Sequence, residues 1–114
     1  MALTNAAKEA AALAISALGD RISLHTNDPG TTGANEATGG SPAYARKTTT
    51  WSAGASDGVV AGSEVAIDAP AGTYTHMGVW TSGGVFVAGS ALSSSTGSLP
   101  GQTVVRLTPT ITVP

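Results

Sequence analysis

The sequence has 114 residues, a net charge of −2, no cysteine, 11% charged and 41% hydrophobic residues, which is the range of one small globular domain spanning 1–114. Alanine supplies 20 of the 47 hydrophobic residues and Leu, Ile, Val and Phe only 21, so the core is thin and each copy gains by leaning on neighbours. No apolar run nears the roughly 18 residues of a membrane span, no disulfide or zinc-knuckle framework is available without cysteine, and five scattered basic residues cannot track phosphates, which argues against membrane and nucleic acid as partners.

Residues 3–18 form the one helical stretch, rich in Ala, Leu, Lys and Glu and free of Gly and Pro until Gly19. Thr4 or Asn5 caps its start, and Gly19 fits a left-handed stop. The uncharged residues ahead of it lack the basic segment of a secretory signal. Leu3, Ala7, Ala10, Ala14 and Leu18 share one side at three- and four-residue steps. Such an alanine surface allows close approach, either to the body of its own domain or to a neighbouring subunit. Residues 1–19 are therefore read as a helical arm and 20–114 as the body.

After Gly19 the hydrophobic period falls from about 3.6 to 2. Residues 21–26 alternate, with Ile22 and Leu24 on one face and Ser23 and His25 on the other. Residues 27–42 then form a long loop dense in Gly, Thr, Asn and Pro, of the kind that binds something or wraps a neighbour unless it is disordered. Within it Asp28-Pro29-Gly30 is a turn whose carboxylate bonds its own backbone. Further strands are expected at 43–52, 62–68, 73–82, 85–92, 102–108 and 110–113, with Gly83-Gly84 as a hairpin turn. The fold class is thus mainly β: an N-terminal helix, then an antiparallel, jelly-roll-like sandwich of about seven short strands.

No residue set rises to a catalytic, metal or cofactor site. Gly54-Ala55-Ser56-Asp57-Gly58 matches a G-x-S-x-G elbow, and Asp68 and His76 follow in hydrolase order, but the elbow needs a helix next and a parallel sheet beneath. His25 and His76 are able to meet across paired strands, yet nothing fixes a metal spacing. The oxygen-rich run Asn27, Asp28, Thr31, Asn35 and Glu36 lacks the alternation and closing Glu of a calcium loop. Trp51, Trp80, Tyr44 and Tyr74 are core candidates first, since they are nearly all the large aromatic area present. Arg46 and Lys47 are placed to pair with Asp28 or Glu36 and hold the long loop down.

Leu24-His25-Thr26, Asp28-Pro29-Gly30, Gly33, Asn35-Glu36, Gly39-Gly40 and Tyr44-Ala45-Arg46 together resemble the signature of a family of small virion proteins of tailed bacteriophages, especially of actinobacteria. Trp51 and the run from Ala71 to Trp80 resemble its second block, and the likeness extends from Leu3 to about Leu92, with Ser41-Pro42-Ala43 lengthening the segment before Tyr44. Members are described as tail-fibre, minor tail or capsid-associated proteins. The resemblance implies a virion location, after assembly in the host cytoplasm, and no enzymatic activity or cofactor. A compact module without a repetitive shaft favours capsid decoration, with a minor tail or fibre component as the alternative and a glycan-binding host-contact module as a second. The expected partners are further copies of the chain and the major capsid protein or another virion protein. The residues expected to touch them are Leu3, Ala7, Ala10 and Ala14 of the helix, Asp28, Pro29, Gly30 and Glu36 of the loop, and Tyr44 and Arg46 beyond it.

Overall fold

The structure, a computed structural model, describes residues 1–114. Helix α1 runs Asn5–Leu18, and the Thr4 hydroxyl caps it by accepting from the Ala7 N–H at 3.2 Å. Eleven short strands follow: β1 Arg21–His25, β2 Lys47–Thr48, β3 Trp51–Ala53, β4 Val59–Gly62, β5 Val65–Ala69, β6 Gly72–Thr73, β7 His76–Trp80, β8 Phe86–Ala91, β9 Ser98–Leu99, β10 Thr103–Leu107 and β11 Thr110–Thr112. All pairings are antiparallel. The main sheet has the order β2-β1-β7-β8, and β10-β5, β11-β4-β3 and β6-β9 make up the rest.

The excess over seven strands comes largely from bends. The expected strand at 43–52 breaks into β2 and β3 because Thr49 turns inward, where its Oγ1 donates to the Ser63 carbonyl at 2.7 Å. The chain changes sheets there: β2 pairs with β1, whereas β3 pairs with β4. At the same level β4 gives way to β5, and β10 to β11, and the Gly62 N–H donates to the Pro109 carbonyl at 2.8 Å. A side chain on Gly62 would run into both Thr49 and Pro109, so glycine is what lets the bent segments nest. A hairpin forms at Gly83-Gly84, but around three residues, 82–84, in place of a two-residue turn, with Gly84 at φ 90° and the Thr81 N–H donating to the Val85 carbonyl at 2.8 Å.

The inner faces of β1 (Ile22, Leu24) and β7 (Met77, Val79) pack against Val65, Ile67 and Ala69 of β5, with Tyr74 and Ala37 closing this nine-residue core. A second, three-residue cluster of Ala12, Val60 and Ile111 seats the helix on β4 and β11. The core is as thin as the composition requires. The accessible surface, 5940 Å², nevertheless lies close to the ~5,700 Å² expected of a monomer of this mass. Buried polar groups, among them Ser23, His25 and Thr49, fill space that aliphatic side chains occupy in richer cores.

The structure decides which way the helix faces, which the alanine stripe leaves open, and corrects the expected cap at Gly19. Its buried residues are Glu9 and Ala12, so Ala7, Ala10, Ala14 and Leu18 lie on the opposite, outward side and Leu3 is half-buried. The inward face is chosen by Ala12, whose lack of bulk brings the helix axis close to Val60, and by Glu9, whose Oε1 accepts the Gly58 N–H at 3.1 Å. Gly19 is extended (φ −166°, ψ 157°) and not left-handed. Its backbone instead lies against the carbonyl of Trp80, where any Cβ would collide.

Close approach and left-handed geometry make different demands, because a left-handed cap tolerates Asn whereas a crowded site rejects every side chain. Gly19→Ala and Gly19→Asn are therefore both expected to destabilise the protein, by about 1–3 kcal/mol, measured as urea midpoints; retention of stability by the Asn variant alone would contradict this packing.

Candidate functional site

The residues of the first sequence block converge at one end of the main sheet. β1 presents Ile22 and Leu24 to the core and turns Ser23 and His25 to the other face, and that second face is buried as well, with both side chains at 0% exposure. Residues 26–46 fold over it. The Thr26 N–H donates to the Asn35 carbonyl at 2.9 Å, the Ala37 N–H donates to the Leu24 carbonyl at 3.0 Å, and His25 and Glu36 form an antiparallel bridge. The loop is thus a turn that returns to pair with the strand it left.

The turn is shaped locally. Asp28 Oδ1 accepts the Gly30 N–H at 2.8 Å, as the Asp-Pro-Gly sequence implies. Asn35 adopts a left-handed φ of 64° while its side-chain amide donates to the Asp28 carbonyl at 3.0 Å. Gly33, at φ 78°, passes against the edge of the Trp80 ring, where a side chain would overlap it. Pro29 is buried, and it lies so near Gly89 that β8 has no room for a Cβ there.

Beneath the turn, every polar group of the buried face has a partner. The Ala34 carbonyl can only accept, so His25 Nδ1 donates to it, at 2.7 Å, and Nε2 accepts from the Ser23 hydroxyl at 2.7 Å. Ser23 Oγ in turn accepts the indole N–H of Trp80 at 2.8 Å. Phe86 stands edge-on to Trp80, with centroids 5.1 Å apart. Burial holds His25 below the ordinary imidazole range, although the bond to Ala34 and the Glu36 charge oppose that shift.

Glu36 is the second node. Arg46 donates to it twice, Nε to Oε2 and Nη2 to Oε1, both at 2.9 Å, and the Tyr44 hydroxyl donates to Oε2 at 2.8 Å. Tyr44 also accepts the Leu24 N–H at 3.1 Å, and the Arg46 guanidinium lies 3.5 Å from the centre of the Trp80 ring. Burial pushes the Glu36 carboxyl up, but the hydrogen bonds from Arg46 and Tyr44 and the Arg46 charge outweigh it and leave it below the usual carboxylate range. Tyr44 is raised far above a free phenol, first by burial and then by the Glu36 carboxylate.

The expected pairing of Arg46 with Glu36 is present, while Asp28 bonds its own turn. Of the residues expected to touch partners, Ala7, Ala10, Ala14, Asp28 and Gly30 are exposed, Leu3, Glu36, Tyr44 and Arg46 are half-buried, and Pro29 is buried within the chain. Sequence reasoning missed Ser23 and the indole N–H of Trp80 as members of the network. Their signal was a polar second face on β1 in a protein too poor in charge to leave that face wet.

The other arrangements do not assemble. Ser56 is exposed in the turn between β3 and β4 and hydrogen-bonds to neither Asp68 nor His76. His25 and His76 are cross-strand partners, but both ring nitrogens of His25 are engaged within the protein. Trp80 and Tyr74 are buried, and Trp51 is half-buried with its indole N–H donating to the Gly19 carbonyl at 2.8 Å, so no aromatic platform faces outward for a sugar ring.

A family model described as "Podophage GP4 fiber I protein gp80" matches residues 4–113. No curated protein and no solved structure matches the chain.

Acid is expected to loosen the network. A His25 pKa below its unfolded value means that the unfolded chain binds more protons, so its contribution is complete above about pH 6.5 and declines as pH falls below that. The lowered Glu36 adds a second loss below about pH 4.5. Urea midpoints taken between neutral and mildly acidic pH check this, and His25→Gln is expected to remove the upper of the two steps. Arg46→Lys keeps the charge but gives up the two-pronged bond and the stacking on Trp80, for an expected loss of about 1–2 kcal/mol and faster amide exchange across residues 26–37.

Proposed function

The chain belongs to the family of podophage GP4 fiber I protein gp80, structural components of phage virions, and from that premise we propose that it is a non-enzymatic component of the tail fibre. The sequence by itself favoured decoration of the capsid; the family description favours the fibre alternative. The proposed partners are other copies of this chain and a neighbouring virion protein, and the signature network is structural, keeping residues 26–46 in one shape that a neighbour can meet.

The observation that carries this reading is the reversed polarity of α1. Its only charged residues are Lys8 and Glu9; Glu9 is buried, and Lys8 is half-buried against Gly58. Outward stand Ala6, Ala7, Ala10, Leu13, Ala14, Ala17 and Leu18, with Leu13 at 41% and Leu18 at 61% exposure. A helix that only met water would reverse this arrangement. An uncharged Ala/Leu face lets another protein surface approach closely without desolvating charge, and we assign the contacts of Ala7, Ala10 and Ala14 to it, Leu3 lying half-buried ahead of the helix. A glycan-binding role gains no support from the inward-facing aromatic rings.

Antibody labelling of intact particles tests the location: label on the tail fibres is expected, and label confined to the shell would return the protein to capsid decoration. Ala10→Glu with Ala14→Glu is expected to leave the isolated protein folded and to prevent its incorporation into particles, read by immunoblot of purified virions.

A further inference from the structure

We propose that the free edge of β8 is a self-association surface, pairing antiparallel with β8 of a second copy so that two four-stranded sheets become one. β8 is the longest strand, with six residues, yet it lies at the rim of the main sheet, hydrogen-bonded to β7 on one side and to no strand on the other. None of its residues is buried. Open edges are normally blunted by charge, proline, shortness or a covering element. Phe86–Ala91 contains neither charge nor proline, and its one irregularity lies at the Phe86 end.

The backbone as a whole is short of partners. The protein makes 50 backbone–backbone hydrogen bonds, against about 75–85 for a typical chain of this length. Irregular segments and strand rims share this shortfall, and most rims are poor docking sites: β2, at the far edge of the main sheet, has two residues and carries Lys47, and β10 carries Arg106. β8 has the length and the neutrality. Beside its C-terminal half an open groove of about 540 Å³ runs between residues 90–96 and 105–108, leaving the rim accessible.

Neutrality also selects the occupant. Antiparallel pairing of one strand with itself creates a two-fold axis and sets each residue against another of the same strand, so a charged edge would meet its own charge and be repelled. A charged partner strand, by contrast, would find no complementary charge on β8. Centring the axis on Ala88, which then faces its own copy, keeps paired residues on the same face of the sheet and puts Val87 opposite Gly89 and Phe86 opposite Ser90 of the second copy. It also sets Val85, 65% exposed and the largest apolar side chain left bare at this edge, against Ala91.

The surface is distinct from the helix face assigned above, and the two are separable. Sedimentation velocity of the purified chain across micromolar to millimolar concentration is expected to show a dimer. Ser90→Lys and, nearer the axis, Ala88→Lys are each expected to raise the dissociation constant at least about tenfold, with thermal melting confirming that the variant is folded. If one of them unfolds, the other decides. Ala10→Glu with Ala14→Glu is expected to leave this dimer intact. A native chain that stays monomeric throughout, or a dimer unaffected by the lysine variants, overturns the proposal, and a dimer lost only on the helix substitutions would assign self-association to α1 instead.

Discussion

The polar second face of β1 is the constraint on which the remaining structure depends. A strand buried on both sides ordinarily shows apolar residues to both, but this one shows Ser23 and His25 to the side away from the main core. Burying two such groups is tolerable only when each finds a partner, because an unmade hydrogen bond in a dry interior costs about 1–3 kcal/mol. The return of residues 26–46 supplies those partners through the Ala34 carbonyl, and Trp80 completes the chain from the neighbouring strand. The long loop is therefore the cover of that buried face.

Glu36 makes that cover specific. A single carboxylate receives Arg46 through two bonds and Tyr44 through one, and Arg46 and Tyr44 reach in turn to Trp80 and to the backbone of β1. Charge-assisted bonds with fixed geometry resist slippage better than the few small apolar side chains of this region do. In a chain with so little aliphatic area, register is set by such directional contacts as much as by packing. The residues of this network thus read as folding determinants.

The helix and the sheet rim follow the same economy. α1 spends its two charges on the body of the protein and leaves an apolar exterior, and the main sheet leaves one edge of its longest strand unpaired. Both features are awkward for an isolated molecule and useful in a repetitive assembly. The accessible surface, close to that of an ordinary monomer, shows that the fold does not sprawl; what distinguishes it is where the uncharged surface lies.

Much of this was legible in the sequence. Alanine content and the break at Gly19 determine one helix, period-2 runs determine antiparallel strands, Asp28-Pro29-Gly30 determines its own turn, and Gly83-Gly84 determines a hairpin, because each depends on residues within a few positions of one another. Only the tertiary structure decided which helix face turns inward, why Gly19 is glycine, where Thr49, Gly62 and Pro109 make the strands bend, and that His25, Glu36, Arg46 and Trp80 close a single network. Those outcomes are set by groups brought together across 20 to 60 residues of chain, such as the Leu24 N–H with Tyr44 and Ser23 with Trp80. Local periodicity carries no record of such meetings. A stripe of alanines fits either side of a helix equally well until the shape of the opposing surface is known.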